Sequence, residues 1–247
     1  AKQIWKKPMA VMVDRYSASA SEIFAGAIQD YQRGIIIGQK TFGKGTVQKL
    51  DNLSSGQIKI TESKFYRITG AGMQSKGIHP DITLPSTWDI EEIGESSYDT
   101  ALPWDEIKPI RFKKFSMGSS FISQLNEGHL IRINQSPNLQ YILDIRKRYE
   151  IQKNKEMISL NLSNRIIEKE ERQSWALDIE NKRRASLNLE TFSSYKAMED
   201  FNDAKETEED DNDFKIDIDN DYLLNEGTQI LSDYTILNQS IFLSKAA

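Results

Sequence analysis

The sequence predicts a mixed α/β domain over residues 1–88, followed by a mainly α-helical region over residues 89–247. Two short, continuous apolar runs enclose a helical pattern near the start of the chain, which indicates a strand–helix–strand unit. From about Trp88 the sequence changes to polar segments and long amphipathic helical patterns. With 38% apolar and 28% charged residues, the 247-residue chain can form one large or two small domains.

The strand–helix–strand unit comprises the segments MAVMV, YSASASEIFAGAIQDYQ and GIIIG. Met9–Val13 and Gly34–Gly38 are continuous apolar runs, as in strands that are buried on both faces. Between them, five apolar side chains recur at helical spacing: Ile23, Phe24, Ala27, Ile28 and Tyr31. A crossover of this kind makes the two strands parallel, with a right-handed connection.

Three further segments, TVQKL, QIKIT and KFYRI, alternate in polarity or are rich in β-branched residues. This pattern is typical of antiparallel strands. The segment GAGMQSKGIHPDITLP then reads as a loop that ends in a final edge strand.

The region after Trp88 begins with a polar connector that contains ALPWD, residues 101–105. Helices are predicted over Pro137–Glu156, Ser163–Leu187 and Asn220–Phe242. Residues 199–221 hold twelve acidic residues and two lysines, which predicts a flexible, solvated linker.

Composition and charge exclude several classes of function. The chain has no cysteine, so it has no disulfide, cysteine nucleophile or thiolate zinc site. No apolar run approaches the roughly 20 residues of a membrane-spanning helix, so no transmembrane segment is expected. Residues 1–88 carry twelve Lys/Arg against six Asp/Glu, but these cations are scattered between apolar strands. That distribution argues against nucleic acid as a partner.

Polar side chains follow both strands of the predicted unit. Ser17, Ser19 and Ser21 come after the first strand at the start of the helix, and Lys44 comes after the second strand. Because the carboxyl ends of parallel strands meet at one edge of a sheet, we expect a serine and a lysine to converge there. The helix N-terminus also offers unpaired N–H groups that suit an oxyanion. These are the parts of a Ser-Lys hydrolase.

Each of these residues also has a purely structural interpretation. Ser19 and Glu22 fit a capping box, Lys44 lies between two glycines as in a turn, and Asp30 could bond the end of its helix. A nucleotide-binding loop is a further alternative, because residues 38–44 match most of a phosphate-binding loop. However, Gly45 stands where the Mg-binding Ser/Thr belongs, and a strand rather than a helix follows.

The segment VDRYSASASEIFAGAIQDYQRGIIIGQKTFGKGTVQ resembles the active-site segment of the tail-specific, or C-terminal processing, proteases. KFYRITG and KGIHPDITLP resemble that family's closing segments, and ALPWD with the helical remainder resembles the C-terminal extension of its periplasmic subgroup. The resemblance is specific over residues 9–85. It implies an α/β (α+β) protease core with a crotonase-like βαβ unit and additional strands, followed by a mainly α-helical C-terminal domain.

The resemblance implies the following roles, residue by residue. Ser19 is the nucleophile and Lys44 the general base, and Gln48 orients that base. Asp30 matches an aspartate that is important for activity, and the backbone N–H of Ala20 supplies half of the oxyanion hole. No metal or cofactor is required.

The resemblance also implies a serine endopeptidase that cleaves exported proteins selected by their apolar C-terminal tails. It places the enzyme in a Gram-negative periplasm, at the inner-membrane surface, with a helical-repeat lipoprotein as adaptor. The family's upstream glycine-rich loop, which donates to the oxyanion, and its PDZ domain have no counterpart in this sequence. We therefore expect a fragment with little activity of its own. The alternative outside enzymology is a helical binding or scaffolding piece that docks a partner.

Overall fold

The computed structural model describes residues 4–89, 91–115, 119–210, 218 and 221–246. The chain forms two compact units. The first unit comprises residues 1–130 and 226–247, and the second comprises residues 131–225. These limits differ from the division at residues 88/89 that composition predicts, because the first unit also takes in parts of two helices from the region after Trp88.

The strand–helix–strand prediction is confirmed. β1 (Ala10–Val13) and β2 (Ile35–Gly38) are parallel and are joined by α1 (Ala20–Asp30). The two-residue β5 (Ile82–Thr83) also pairs with β2 in parallel, which gives the strand order β1-β2-β5. The central strand is buried on both faces, as its continuous apolar sequence predicts. Its side chains form the core of the unit with Val13, Ala25, Met73 and Ile78.

A separate antiparallel hairpin consists of β3 (Thr46–Asn52) and β4 (Gln57–Lys64). The prediction that KFYRI forms a further strand is wrong. β4 ends at Lys64, and only Tyr66 forms an isolated bridge, to Gly72. The chain reverses immediately afterwards, because the N–H of Gly70 bonds the carbonyl of Arg67, and this turn leaves no length for a ladder.

The remaining helices are α2 (Ser119–Gln135), α3 (Pro137–Lys153), α4 (Leu162–Ser186), α5 (Tyr195–Asp210) and α6 (Tyr222–Ala246). A 3₁₀ turn occupies Glu95–Ser97. The helices predicted near α3, α4 and α6 are confirmed, with shifted ends. The sequence analysis missed α2, whose buried side chains Phe121, Leu125, His129 and Ile133 recur every four residues.

Each unit buries its own apolar cluster in its helical part. In the first unit, Phe121 of α2 packs against Tyr234 of α6 with their ring centres 6.0 Å apart. In the second unit, Ile133, Leu139 and Ile142 form a cluster with Tyr222 and Leu223. No helix among the described residues combines the length and the apolar character needed to cross a bilayer.

The acidic run at residues 199–221 is not wholly a linker. Residues 199–210 belong to α5, so the prediction of a flexible segment is wrong for them. Charge repulsion disfavours packing of such a segment, but it does not prevent helix formation when the residues include good helix formers such as Glu, Lys and Ala. Apart from Ile218 and Asp221, the rest of the run lies outside the described residues.

Candidate active site

Ser19 lies immediately before α1 in a backbone conformation that residues with a side chain rarely adopt. Its φ of 57° and ψ of −115° belong to a region that glycine prefers. Such a conformation costs about 1–3 kcal/mol and persists only where its surroundings hold it. The preceding turn is held by the carboxylate of Asp14, which accepts the N–H groups of Tyr16 at 3.0 Å and Ser17 at 2.8 Å. Ser19 therefore occupies a sharp strand-to-helix turn, and it is half-buried there.

The side chain of Glu22 connects the start of α1 to the loop that follows β2. It is 0% exposed. Its Oε2 accepts the backbone N–H groups of Ser19 and Lys44, each at 2.9 Å. Its Oε1 accepts the N–H of Gly43 at 2.7 Å and the hydroxyl of Thr41. Because the nitrogens of Ser19 and Lys44 bond the same oxygen atom, they lie within twice 2.9 Å of each other.

Two further hydrogen bonds hold the same pair of segments together. The N–H of Phe42 donates to the carbonyl of Ser17 at 3.0 Å. The guanidinium of Arg15, which is 1% exposed, donates to the carbonyl of Thr41. The backbone before Ser19 and the backbone before Lys44 are therefore fixed to each other independently of any side chain that could do chemistry.

The two glycines that flank Lys44 are required by the path of its loop. Gly43 has a φ of +93°, and its carbonyl accepts the N–H of Ser75 at 2.8 Å. A Cβ atom at Gly45 would lie 2.5 Å from the backbone nitrogen of Gln74. The loop thus runs close to a neighbouring segment on both sides of Lys44, and this explains the sequence G-K-G.

The side chain of Lys44 is half-buried, and none of the described carboxylates forms an ion pair with its amine. Lys40 lies in the same loop and is also half-buried. Burial, followed by the charge of Arg15, lowers the pKa of Lys40. A lowered pKa favours the uncharged amine of Lys40. Of these two lysines, however, only Lys44 shares a hydrogen-bonding atom with Ser19.

Ala20 is the first residue of α1, and its backbone N–H is one of the donors that a helix leaves unused at its N-terminus. Within the described part of the chain this N–H has no acceptor. The residue is exposed and directly follows Ser19. An oxyanion that forms next to Ser19 would therefore find an unused donor.

Asp30 lies at the other end of α1, which places it about 16 Å from Ser19 along the helix axis. Its carboxylate is buried and forms a two-point ion pair with the guanidinium of Arg67, one contact being Nε to Oδ2 at 2.9 Å. Arg67 also donates to the side chain of Gln29 at 2.8 Å. The structure does not bring Asp30 together with Ser19 and Lys44.

Gln48 lies in β3, four residues after Lys44, beside a β-bulge between Val47 and Gln48. It is exposed, and its side chain makes no hydrogen bond to any described residue. Its backbone pairs with Thr61. The structure therefore places Gln48 on the strand that leaves the lysine loop, without a hydrogen bond to Lys44.

Neither histidine completes a triad with Ser19 in the described structure. Both ring nitrogens of His129 are occupied, with Nδ1 2.8 Å from Glu226 Oε1 and Nε2 3.1 Å from the carbonyl oxygen of Thr83. His79 directly follows the buried Ile78, and the residue as a whole is exposed. Partial desolvation of its ring and then the charges of nearby cations, Lys40 first, lower the pKa of His79.

The sequence analysis missed three residues that build the site: Thr41, Arg15 and, in its connecting role, Glu22. The capping-box pattern did identify Glu22, but only as a partner of the helix start. The contacts of Glu22 to the loop of Lys44 follow only from the tertiary structure.

Two family models match the chain. Residues 1–84 match the peptidase family S41, and residues 88–235 match the C-terminal domain of tail-specific protease. The two matches adjoin near Trp88, where the composition of the sequence changes. Together they extend over nearly all of the described residues.

Curated relatives are similar over the whole chain or over its first part. The tail-specific protease of Haemophilus influenzae is 35% identical over 260 residues, which cover 100% of this chain and 35% of that protein. The carboxy-terminal-processing protease of Bartonella bacilliformis is 45% identical over 32% of this chain and 18% of its own length. The chloroplastic C-terminal processing peptidase of Tetradesmus obliquus is 41% identical over 31% of this chain and 17% of its own. The chain thus spans about a third or less of the length of these relatives.

Proposed function

We propose that this chain, which belongs to the family of tail-specific proteases, carries the nucleophile and the general base of a serine endopeptidase. Ser19 is the nucleophile and Lys44 is the base. The family is one of peptidases, so the reaction class is the hydrolysis of peptide bonds. The helical region over residues 88–235 is the family's C-terminal domain.

The observation that carries this proposal is the shared acceptor at Glu22. One buried carboxylate oxygen accepts the backbone N–H groups of both Ser19 and Lys44. A capping glutamate alone would need only the first of these bonds, and a glycine-flanked turn would need neither. The bond to Lys44 therefore supports a function in which these two residues must keep a fixed separation.

The chemistry requires a proton transfer between the two side chains. A serine hydroxyl is a weak nucleophile until a base takes its proton, and a lysine amine can take it only when uncharged. Neutral Lys44 accepts the proton of Ser19 as the serine oxygen attacks the peptide carbonyl carbon. The N–H of Ala20 stabilises the resulting oxyanion, and Lys44 then protonates the leaving amine. Water resolves the acyl-enzyme by the reverse proton transfers.

The two other proposed residues act at a distance from the reacting atoms. Asp30 holds the far end of α1 through Arg67 and so supports the orientation of the helix that begins at Ser19. Gln48 reaches the base only if its side chain or its strand moves when substrate binds, because it has no partner within the described residues. Both are positioning residues.

The substrates and the location are part of the proposal as well. We infer exported proteins that are selected by apolar C-terminal tails, in the periplasm of a Gram-negative bacterium, with a helical-repeat lipoprotein as adaptor. The names of the tail-specific and C-terminal processing relatives support the selection of C-terminal segments. Deletion of the apolar tail from a model substrate should abolish its degradation while leaving an internal cleavage site intact.

The test uses a hybrid in which these 247 residues replace the matching segment of the Haemophilus influenzae tail-specific protease. Cleavage of a peptide with an apolar C-terminus is measured for the hybrid and its variants. Ser19→Ala and Lys44→Ala should each lower kcat/KM by at least about 10⁴-fold.

Matched controls lie close to each residue. Ser21→Ala removes a hydroxyl that donates to the carbonyl of Ala18, and Lys40→Ala removes the other lysine of the loop. Both controls should keep cleavage within about tenfold of the parent hybrid. Retained cleavage in Lys44→Ala, or its loss in Lys40→Ala alone, would contradict the assignment of the base. Unchanged melting temperatures show that the variants are folded.

A further inference from the structure

The second unit contains a groove bordered by α3 and α4. It consists of two adjoining cavities of about 490 and 520 Å³, and we call it the basic groove. The two cavities share the side chains of Arg148, Gln152 and Arg172. A continuous depression of this size accommodates a stretch of polypeptide rather than a single side chain.

Arg148 occupies the part common to both cavities. Its Nε is buried and finds no hydrogen-bond acceptor among the residues that the structure describes. The only partner described for the guanidinium is the ring of Trp175, with its central carbon 5.4 Å from the ring centre. A buried donor without an acceptor is destabilising until an acceptor reaches it. An acceptor oxygen of a ligand in the groove would therefore satisfy this atom.

The other cations of the groove divide into two groups. Lys155 and Arg165 both form an ion pair with Glu168, at 2.6 and 2.5 Å, so these two cations share one carboxylate. Lys169 and Arg172 form no ion pair with any carboxylate in the part of the chain that the structure describes. With Arg148, three cations of the groove thus form no ion pair with a described carboxylate, in a chain of net charge −5.

We propose that the basic groove binds an acidic segment of a partner polypeptide in which apolar residues are interspersed. Apolar side chains line the groove between the cations: Ile145, Ile151, Ile158 and Ala176. Gln152 and Gln173 offer amide groups that can bond a peptide backbone. Glu171 and Glu199 also line it, and their charges would repel the evenly charged backbone of a nucleic acid. A peptide can place its carboxylates on the cations and its neutral residues beside these glutamates.

The test measures binding of a fluorescein-labelled peptide rich in Glu and Leu to the 247-residue chain by fluorescence anisotropy. The same peptide with every Glu replaced by Gln is the ligand control. We expect saturable binding of the acidic peptide alone, weakened when NaCl rises from about 0.05 M to about 0.5 M. Arg172→Glu should weaken binding at least about tenfold, because it replaces an attractive contact by a repulsive one.

Lys147→Glu is the matched protein control. Lys147 is exposed on α3 next to Arg148 and lines neither cavity. The Lys147→Glu substitution changes the charge of the chain by the same amount as Arg172→Glu. It should alter binding less than about threefold, because an exposed charge outside the groove is screened by salt. Arg172 is exposed too, so both variants should retain the parent's melting temperature. Equal binding of the Gln peptide, equal weakening by the two variants, or tighter binding of anionic lipid vesicles than of the acidic peptide would overturn the proposal.

Discussion

The two ends of α1 each depend on a buried carboxylate, but the partners of the two carboxylates are of different kinds. At the N-terminal end, Glu22 accepts three backbone N–H groups and a hydroxyl. At the C-terminal end, Asp30 forms an ion pair with the side chain of Arg67. Both residues belong to the same short helix, and both are buried.

The different partners of Glu22 and Asp30 indicate that the two buried carboxylates have different functions. Glu22 fixes the main-chain paths of two segments, each of which carries a side chain proposed to react. Asp30 joins one helix end to one arginine that carries no proposed chemistry. We therefore expect substitution of Glu22 to impair catalysis beyond its effect on stability, and substitution of Asp30 to act mainly on stability.

Glu22→Ala should have the largest effect of the substitutions that spare the reacting groups. It leaves Ser19, Gly43, Lys44 and Thr41 without the acceptor that their donors share. We expect the free energy of unfolding to fall by about 4 kcal/mol, and kcat/KM of the folded hybrid to fall at least about 100-fold. Urea unfolding and peptide cleavage measure the two effects.

Glu22→Gln is the matched variant at the same position. Its amide keeps one accepting oxygen but turns a donor toward two of the four donors, so its losses should be smaller than those of Glu22→Ala. A Glu22→Ala hybrid that cleaves as fast as the parent would show that the shared acceptor has no part in catalysis.

Removal of the Asp30–Arg67 pair should affect stability most. Asp30→Ala and Arg67→Ala should each lower the free energy of unfolding by about 3 kcal/mol, because each leaves a largely buried charge unpaired. The double variant should lose less than the sum of the two single losses. Cleavage per folded molecule should stay within about tenfold of the parent, since Asp30 lies far from the reacting atoms. A loss above about 100-fold at unchanged stability would place Asp30 in the chemistry instead.

The smallest expected effect is a difference in stability between two substitutions of Ser19, and it arises from the backbone conformation of this residue. Ser19→Gly and Ser19→Ala both remove the hydroxyl, but only glycine adopts a φ of 57° with a ψ of −115° without strain. We expect the glycine variant to be more stable than the alanine variant by about 1 kcal/mol, although both are inactive. Equal unfolding free energies would indicate that the turn at Ser19 is not strained.

Local patterns predicted the elements that carry the proposed site. The apolar runs of β1 and β2 and the helical spacing of α1 are decided within each segment, so sequence alone located Ser19 and Lys44 at one edge of the sheet. Other local features were present in the sequence but were not used. They are the turn after KFYRI, the four-residue spacing of the buried side chains of α2 and the good helix formers in residues 199–210.

The candidate site shows the limit of local patterns. Spacing predicted that Ser19, Ala20 and Lys44 share one region, since strand ends and helix starts fix backbone positions. The family resemblance, not the spacing, added Asp30 and Gln48 to this group. In the structure, however, a helix of eleven residues separates Asp30 from Ser19. The connection of Glu22 to the lysine loop depends on hydrogen bonds to Thr41 and Lys44. These residues lie 19 and 22 positions further along the chain, so no local pattern encodes the contacts.

The claim that the amine of Lys44 takes the proton of Ser19 can be tested by chemical replacement of that amine. This chain has no cysteine, so Lys44→Cys introduces its only thiol; any cysteines in the rest of the hybrid are changed to serine. Alkylation with bromoethylamine then restores an amine at nearly the length of lysine, whereas iodoacetamide adds a neutral amide. We predict no cleavage by Lys44→Cys, recovery after aminoethylation and none after carbamidomethylation. Cleavage by the untreated variant, or no recovery in fully aminoethylated, folded protein, would contradict the account.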